Sequence, residues 1–147
     1  MARKVFFSFH YSRDHWRVSQ VRNSNIVGWD KSPFYDAADW EKIKKQGDDA
    51  IKRWIENQLI GTSVTVVLIG RETSKRRWVK YEIKRSIELG KGLIGIDISK
   101  IKDQNENLDE TGENPLPANY HKYLWNNDNG RENLSKWIEK AAKDAGR

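Results

Sequence analysis

The segment Val64-Thr65-Val66-Val67-Leu68-Ile69 constrains the fold more than any other, because every position in it is apolar or β-branched. A strand with one wet face alternates polar and apolar residues. An unbroken run reads instead as a strand covered on both faces, central in a parallel sheet flanked by helices. Two further segments share this character: Lys4 to Phe9, and Leu93-Ile94-Gly95-Ile96-Asp97-Ile98. Around them the apolar period changes to that of a helix. Ile51, Trp54, Ile55 and Leu59 stand at i, i+3, i+4 and i+8 of a helix over Asp48 to Ile60, which Gly61 stops. Thr73 or Ser74 opens another, with Val79, Ile83 and Ile87 as its buried row and Gly90 at its end.

The rest of the chain fits the same alternation. Ser12 or Asp14 caps a helix carrying Trp16, Val18 and Val21. Ser32-Pro33 signals a turn, and Phe34-Tyr35 leaves room for a very short strand ending at Asp36. Residues 100 to 118 read as a long polar surface loop, His121 to Trp125 as a fifth strand, and Glu132 to Ala145 as a closing helix. The expected architecture is therefore α/β: a flavodoxin-like three-layer sandwich whose five-stranded parallel sheet has the order 2-1-3-4-5. Such sheets bind ligands beyond the carboxyl ends of their strands. The loops expected there are His10 to Asp14, Asp36 to Trp40 and Gly70 to Trp78. No repeat or linker interrupts the pattern, so residues 1–147 read as a single domain.

Composition narrows the function. Only 37% of the residues are hydrophobic, but seven tryptophans supply large buried area per residue. The absence of cysteine rules out disulfides and thiolate metal sites, and fits a cytoplasmic protein. His10, His15 and His121 have no ligand spacing between them, so no metal is expected. No signal peptide is read at Met1-Ala2-Arg3-Lys4-Val5, and no apolar run approaches the roughly 18 residues of a membrane span. A net charge of +6 raises the question of nucleic acid. The densest cluster, Lys75-Arg76-Arg77 with Lys80, Lys84 and Arg85, is interrupted by Glu72, Glu82 and Glu88. It reads first as a solvated helix face and only second as a surface for phosphates, so nucleic acid is not the expected partner.

Glu82 is the leading candidate for chemistry. Trp78 precedes it by four residues, so both lie on one helix face, at the rim of the stripe formed by Val79, Ile83 and Ile87. There a carboxylate can be half-buried against an aromatic wall. The plainer reading is a surface glutamate paired with Arg85 or Lys80. Ser8, Phe9, His10 and Tyr11 follow at the end of the first strand, with core packing as the alternative for Phe9 and capping for His10. Asp36 and Trp40 follow the short second strand, Asp36 equally a turn residue and Trp40 equally core. A Walker loop, a Gly-x-Gly-x-x-Gly turn and a nucleophile elbow are all missing. The acidic strand ends of a phospho-accepting receiver are missing too.

Phe6-Phe7-Ser8-Phe9-His10-Tyr11 resembles the first box of TIR domains, and Trp78-Val79-Lys80-Tyr81-Glu82-Ile83 the tryptophan-to-glutamate helix motif of those that cleave NAD. Asp36-Ala37 with Trp40, and Thr62-Ser63-Val64 with Val67-Leu68-Ile69-Gly70, are similar to the bacterial TIR-like group of the Thoeris anti-phage system. The resemblance spans roughly residues 3 to 98. It implies an enzyme that cleaves the nicotinamide–ribose bond of NAD and turns the ADP-ribose part into a cyclic or conjugated signalling nucleotide. By position in the motifs it implies Glu82 as the catalytic group. Ser8, Phe9, His10, Tyr11, Asp36, Trp40 and Trp78 would then line the substrate cleft. NAD is substrate, and no cofactor is implied. Self-association for activity, a separate effector that receives the signal and a phage-derived trigger are the implied partners. The alternative is a non-catalytic TIR-like module that binds another protein.

Overall fold

The computed structural model describes residues 4–22 and 37–147, the side chains of residues 22 and 37–40 excepted. Strands β1 (Val5–Ser8), β2 (Val64–Ile69), β3 (Gly92–Asp97) and β4 (Lys122–Leu124) pair in that order in one sheet, parallel throughout. They are the first, third, fourth and fifth strands read from the sequence. The second, over Phe34 to Asp36, lies outside the described residues. Every residue of β1, β2 and β3 is buried, as the unbroken apolar runs require. β4 is shorter than His121 to Trp125, and none of its residues is fully buried.

Register divides the side chains between two faces. Ser8 pairs with Val67, and Val67 with Gly95. With a period of two, Phe6, Ser8, Thr65, Val67, Ile69 and Leu93 share one face, and Val5, Phe7, Val66, Leu68, Ile94 and Ile96 the other. Helix α4 (Arg77–Glu88), entered through a 3₁₀ turn at Thr73–Lys75, covers the first face. Its Val79 and Ile83 pack with Val67, Ile69 and Leu93. Helix α5 (Gly130–Asp144) covers the second, with Leu134, Trp137 and Ile138 in one cluster with Val66, Leu68, Ile94 and Ile96. Helix α1 (His15–Arg22) adds Val18 and Val21 to that cluster.

Two helices precede β2. Helix α2 (Ala37–Lys44) stands where the sequence reading placed a loop from Asp36 to Trp40. Among the residues whose side chains are described, Ile43 packs against the core; with only Trp40 and Ile43 as large apolar residues in eight positions, the helical period is too short to read. Helix α3 (Asp48–Leu59) buries Ile51, Ile55 and Leu59. Just beyond its end Gly61 takes φ 78°, a left-handed turn that glycine adopts without a Cβ clash. Arg77 meets Asp48 at 2.6 Å and Arg85 meets Glu56 at 2.7 Å, each pair 29 residues apart, so α3 and α4 run side by side in the same direction.

The loop from residue 100 to 118 is held down by α1. Arg17 donates through Nε to the Ile101 carbonyl at 2.7 Å and through a terminal nitrogen to the Asn107 carbonyl at 3.0 Å. Arg13 reaches Asp109 at 2.7 Å. Among the described residues no helix is long and apolar enough to cross a membrane.

Candidate functional site at the carboxyl end of β1

β1 ends in Ser8, and its register turns that side chain toward α4. The Ser8 hydroxyl donates to Glu82 Oε1 at 2.7 Å, while the Tyr11 hydroxyl lies 3.5 Å from Oε2. Glu82 is 0% exposed. Its carboxyl is therefore deeper than the rim position expected from the sequence. The buried stripe of α4 is Val79, Glu82, Ile83 and Ser86, at i, i+3, i+4 and i+7, while Ile87 is 38% exposed. Hydrophobicity alone selects Ile87 over Ser86. The polar residues go inside because each finds partners there. Ser86 Oγ lies 2.7 Å from Thr65 Oγ1 on β2 and 2.7 Å from the Glu82 carbonyl.

Electrostatics follow from this burial. Removal from water pushes the Glu82 carboxyl up to about 8, and the Ser8 and Tyr11 hydroxyls pull in the opposite direction. Near neutral pH the group thus holds its proton, and ionisation needs a cation or a higher pH. The alternative of a surface ion pair with Arg85 or Lys80 is excluded, because Glu82 is fully buried and Arg85 pairs with Glu56 and Glu88 instead.

Of the residues picked out from the sequence, the structure brings Ser8, Tyr11 and Glu82 together. Phe9 is buried, its ring 4.5 Å from that of Tyr11, and serves as packing for the site's wall. His10 points elsewhere: its Nδ1 accepts the Arg13 backbone N–H at 3.2 Å, and its carbonyl accepts that of Asp14 at 3.0 Å. It shapes the turn into α1, and burial with the nearby Arg76 and Arg13 keeps its ring below the usual histidine range. Trp78 is half-buried, its ring edge-on to Tyr81 at 5.7 Å and beneath the Arg77 guanidinium at 4.5 Å. Trp78 and Tyr81 also pack against the core cluster that contains Phe9 and Tyr11. Trp40 is in α2 with its side chain outside the described residues, as is all of Asp36.

One buried group beside the site was not singled out for chemistry. Asp14, 1% exposed, is raised by desolvation and lies 3.4 Å from Thr73 Oγ1, which accepts the Gly70 N–H at 2.7 Å. This ties the loop after β2 to the start of α1. Gly70 is obligatory, since a Cβ there would run into the Asp14 carboxylate.

The family model described as "Thoeris protein ThsB, TIR-like domain" matches residues 6–103, from β1 through the start of the long loop, Ser8 and Glu82 included. This chain belongs to the ThsB TIR-like family. A relative from Bacillus cereus (strain MSX-D12), named "Putative cyclic ADP-D-ribose synthase ThsB1", is 44% identical over 140 residues, 93% of this chain and 72% of the relative. The alignment thus takes in most of the region beyond residue 103 as well.

Proposed function

We propose that this ThsB-like chain cleaves the nicotinamide–ribose bond of NAD, with Glu82 as the catalytic carboxylate. The ADP-ribose part then becomes a cyclic or conjugated signalling nucleotide in anti-phage defence. The observation that carries this reading is the Ser8–Glu82 hydrogen bond of 2.7 Å at the carboxyl end of a parallel sheet. The relative named for cyclic ADP-D-ribose synthesis supports the substrate class.

The chemistry suits a single carboxylate. Most glycosidases need a second one to protonate a poor leaving group. The nicotinamide of NAD is a pyridinium cation and departs neutral, so no general acid is required. Positive charge then accumulates on the ribose, where an ionised carboxylate in a low-dielectric site stabilises it strongly. Ser8 holds one carboxyl oxygen, leaving Oε2, near Tyr11, to face the sugar. Water as acceptor gives ADP-ribose, a ring nitrogen of the same molecule gives a cyclic product, and another nucleophile gives a conjugate. NAD is substrate, and no cofactor takes part.

With Glu82 at 0% exposure, the carboxyl meets NAD only after its cover moves. Self-association or a phage-derived trigger would supply that opening, and a separate effector would receive the product. The same sealing favours the second reading, a binding module in which Glu82 is structural.

Chromatography of NAD with wild type, Glu82→Gln and Ser8→Ala, in extract of phage-infected cells, decides between them. Nicotinamide release that is lost by about a thousandfold in Glu82→Gln, with melting temperature preserved, supports the enzyme. Equal turnover in wild type and Glu82→Gln, or none in any infected extract, moves the assignment to the binding module.

A further inference from the structure

The α3–α4 pair carries a groove of about 480 Å³ whose lining includes neither partner of the Ser8–Glu82 hydrogen bond. Its floor is aromatic, formed by the half-buried rings of Trp78 and Tyr81. Lys52 of α3 and Lys75, Lys80 and Lys84 from the α4 side form its rim, with Arg77 beside Trp78. The arginines along this seam are committed: Arg77 to Asp48 and Arg85 to Glu56. The lysines differ. Lys75 has Glu72 at 3.4 Å, but among the described residues no carboxylate lies within 4.0 Å of Lys52, Lys80 or Lys84. The sequence reading dispersed these charges along a helix interrupted by glutamates. In three dimensions Glu82 is turned into the core and Glu56 is neutralised, so the lysines share one groove with Trp78 and Tyr81, whose rings meet edge-to-face, with the Arg77 guanidinium over Trp78.

We infer that this groove binds single-stranded nucleic acid, phosphates on the lysines and bases against Trp78 and Tyr81. Fixed cations lining an aromatic floor are the combination such strands need. The openness of the groove selects a polymer over a free nucleotide. Each exposed lysine gains little from one phosphate, whereas a strand releases counterions at every contact, so weak contacts add. A duplex does not reach the rings, because the seam between two packed helices is only about 10 Å across. The inference is independent of NAD cleavage.

The test is fluorescence anisotropy of a fluorescein-labelled twelve-nucleotide oligo(dT), with oligo(U) in parallel, over rising salt. Lys52→Gln/Lys80→Gln/Lys84→Gln should weaken binding at least about tenfold and flatten the log–log salt slope by about 2. Lys102→Gln/Lys136→Gln/Lys143→Gln removes as many exposed cations elsewhere and should leave binding near wild type. Trp78→Leu should cost about tenfold through lost stacking. Circular-dichroism melting confirms that each variant is folded. No anisotropy change at low salt, or equal losses in the two lysine triples, overturns the proposal. Displacement of the oligonucleotide by poly-glutamate, with binding indifferent to Trp78→Leu, overturns it too and assigns the groove to an acidic protein partner.

Discussion

At the scale of single residues, the site is governed by what burial does to Glu82. In the proposed reaction ionised Glu82 is the form that stabilises a cationic ribose, and its carboxyl is held up at about 8. The rate of nicotinamide release, as kcat/KM, should therefore rise with pH through that region and level off above it. Ser8→Ala removes the hydroxyl that favours the charged form, so the inflection should move to higher pH while the alkaline plateau is partly retained. A purely structural Ser8 would lower the plateau and leave the inflection where it was. Shortening the side chain is a second check: Glu82→Asp keeps the charge but withdraws it from Ser8, and activity should fall by about a hundredfold.

At the scale of elements, α1 acts as a clamp. Arg17 is 8% exposed, and its guanidinium holds the loop after β3 through the Ile101 and Asn107 carbonyls. Arg17→Gln should destabilise the protein by about 2 kcal/mol, since two charge-assisted bonds are lost and the carbonyl of buried Ile101 loses its side-chain donor. Hydrogen exchange should show the loss concentrated in residues 101 to 109, and unchanged protection there would refute the clamp. Gly70→Ala belongs to the same scale. It drives a methyl group into the Asp14 carboxylate and should lower the melting temperature by more than an ordinary glycine-to-alanine change.

At the scale of the whole molecule, stability should peak in mildly acidic solution. Unfolded Glu82 ionises near 4.5, whereas the folded group keeps its proton to about 8. The native state thus binds the extra proton, and stability falls as pH rises across that window. Asp14, also raised by burial, adds in the same sense just above its unfolded value of 3.8. On the acid side the signs reverse: Glu56, lowered by its bonds to Arg85, and Asp103, lowered by the Asn107 N–H, lose their contribution as they protonate. Glu82→Gln should abolish the alkaline decline and leave the acid limb intact. Melting temperatures of the two proteins from pH 4 to 9 would show it, and parallel curves would contradict the buried-carboxyl account.

The sequence by itself determined the layers and pointed to the residues proposed for chemistry. The runs in β1, β2 and β3 could only be strands covered on both faces, and the Ser-Phe and Trp-to-Glu motifs pointed to the residues that end up at the carboxyl end of the sheet. It did not reveal α2, whose large apolar residues are just Trp40 and Ile43, nor that Ser86 displaces Ile87 from the buried stripe. Tertiary structure decided these, because whether a polar side chain goes inside depends on partners brought by other strands. Thr65 is such a partner for Ser86, and Ser8 for Glu82, 74 residues away along the chain. The same physics set Trp78 and Glu82 at different depths: spacing put them on one helix face, but the carboxyl, with a hydroxyl to bind, is fully buried, and the ring, packed against Tyr81, Arg77 and the edge of the core, is half-buried.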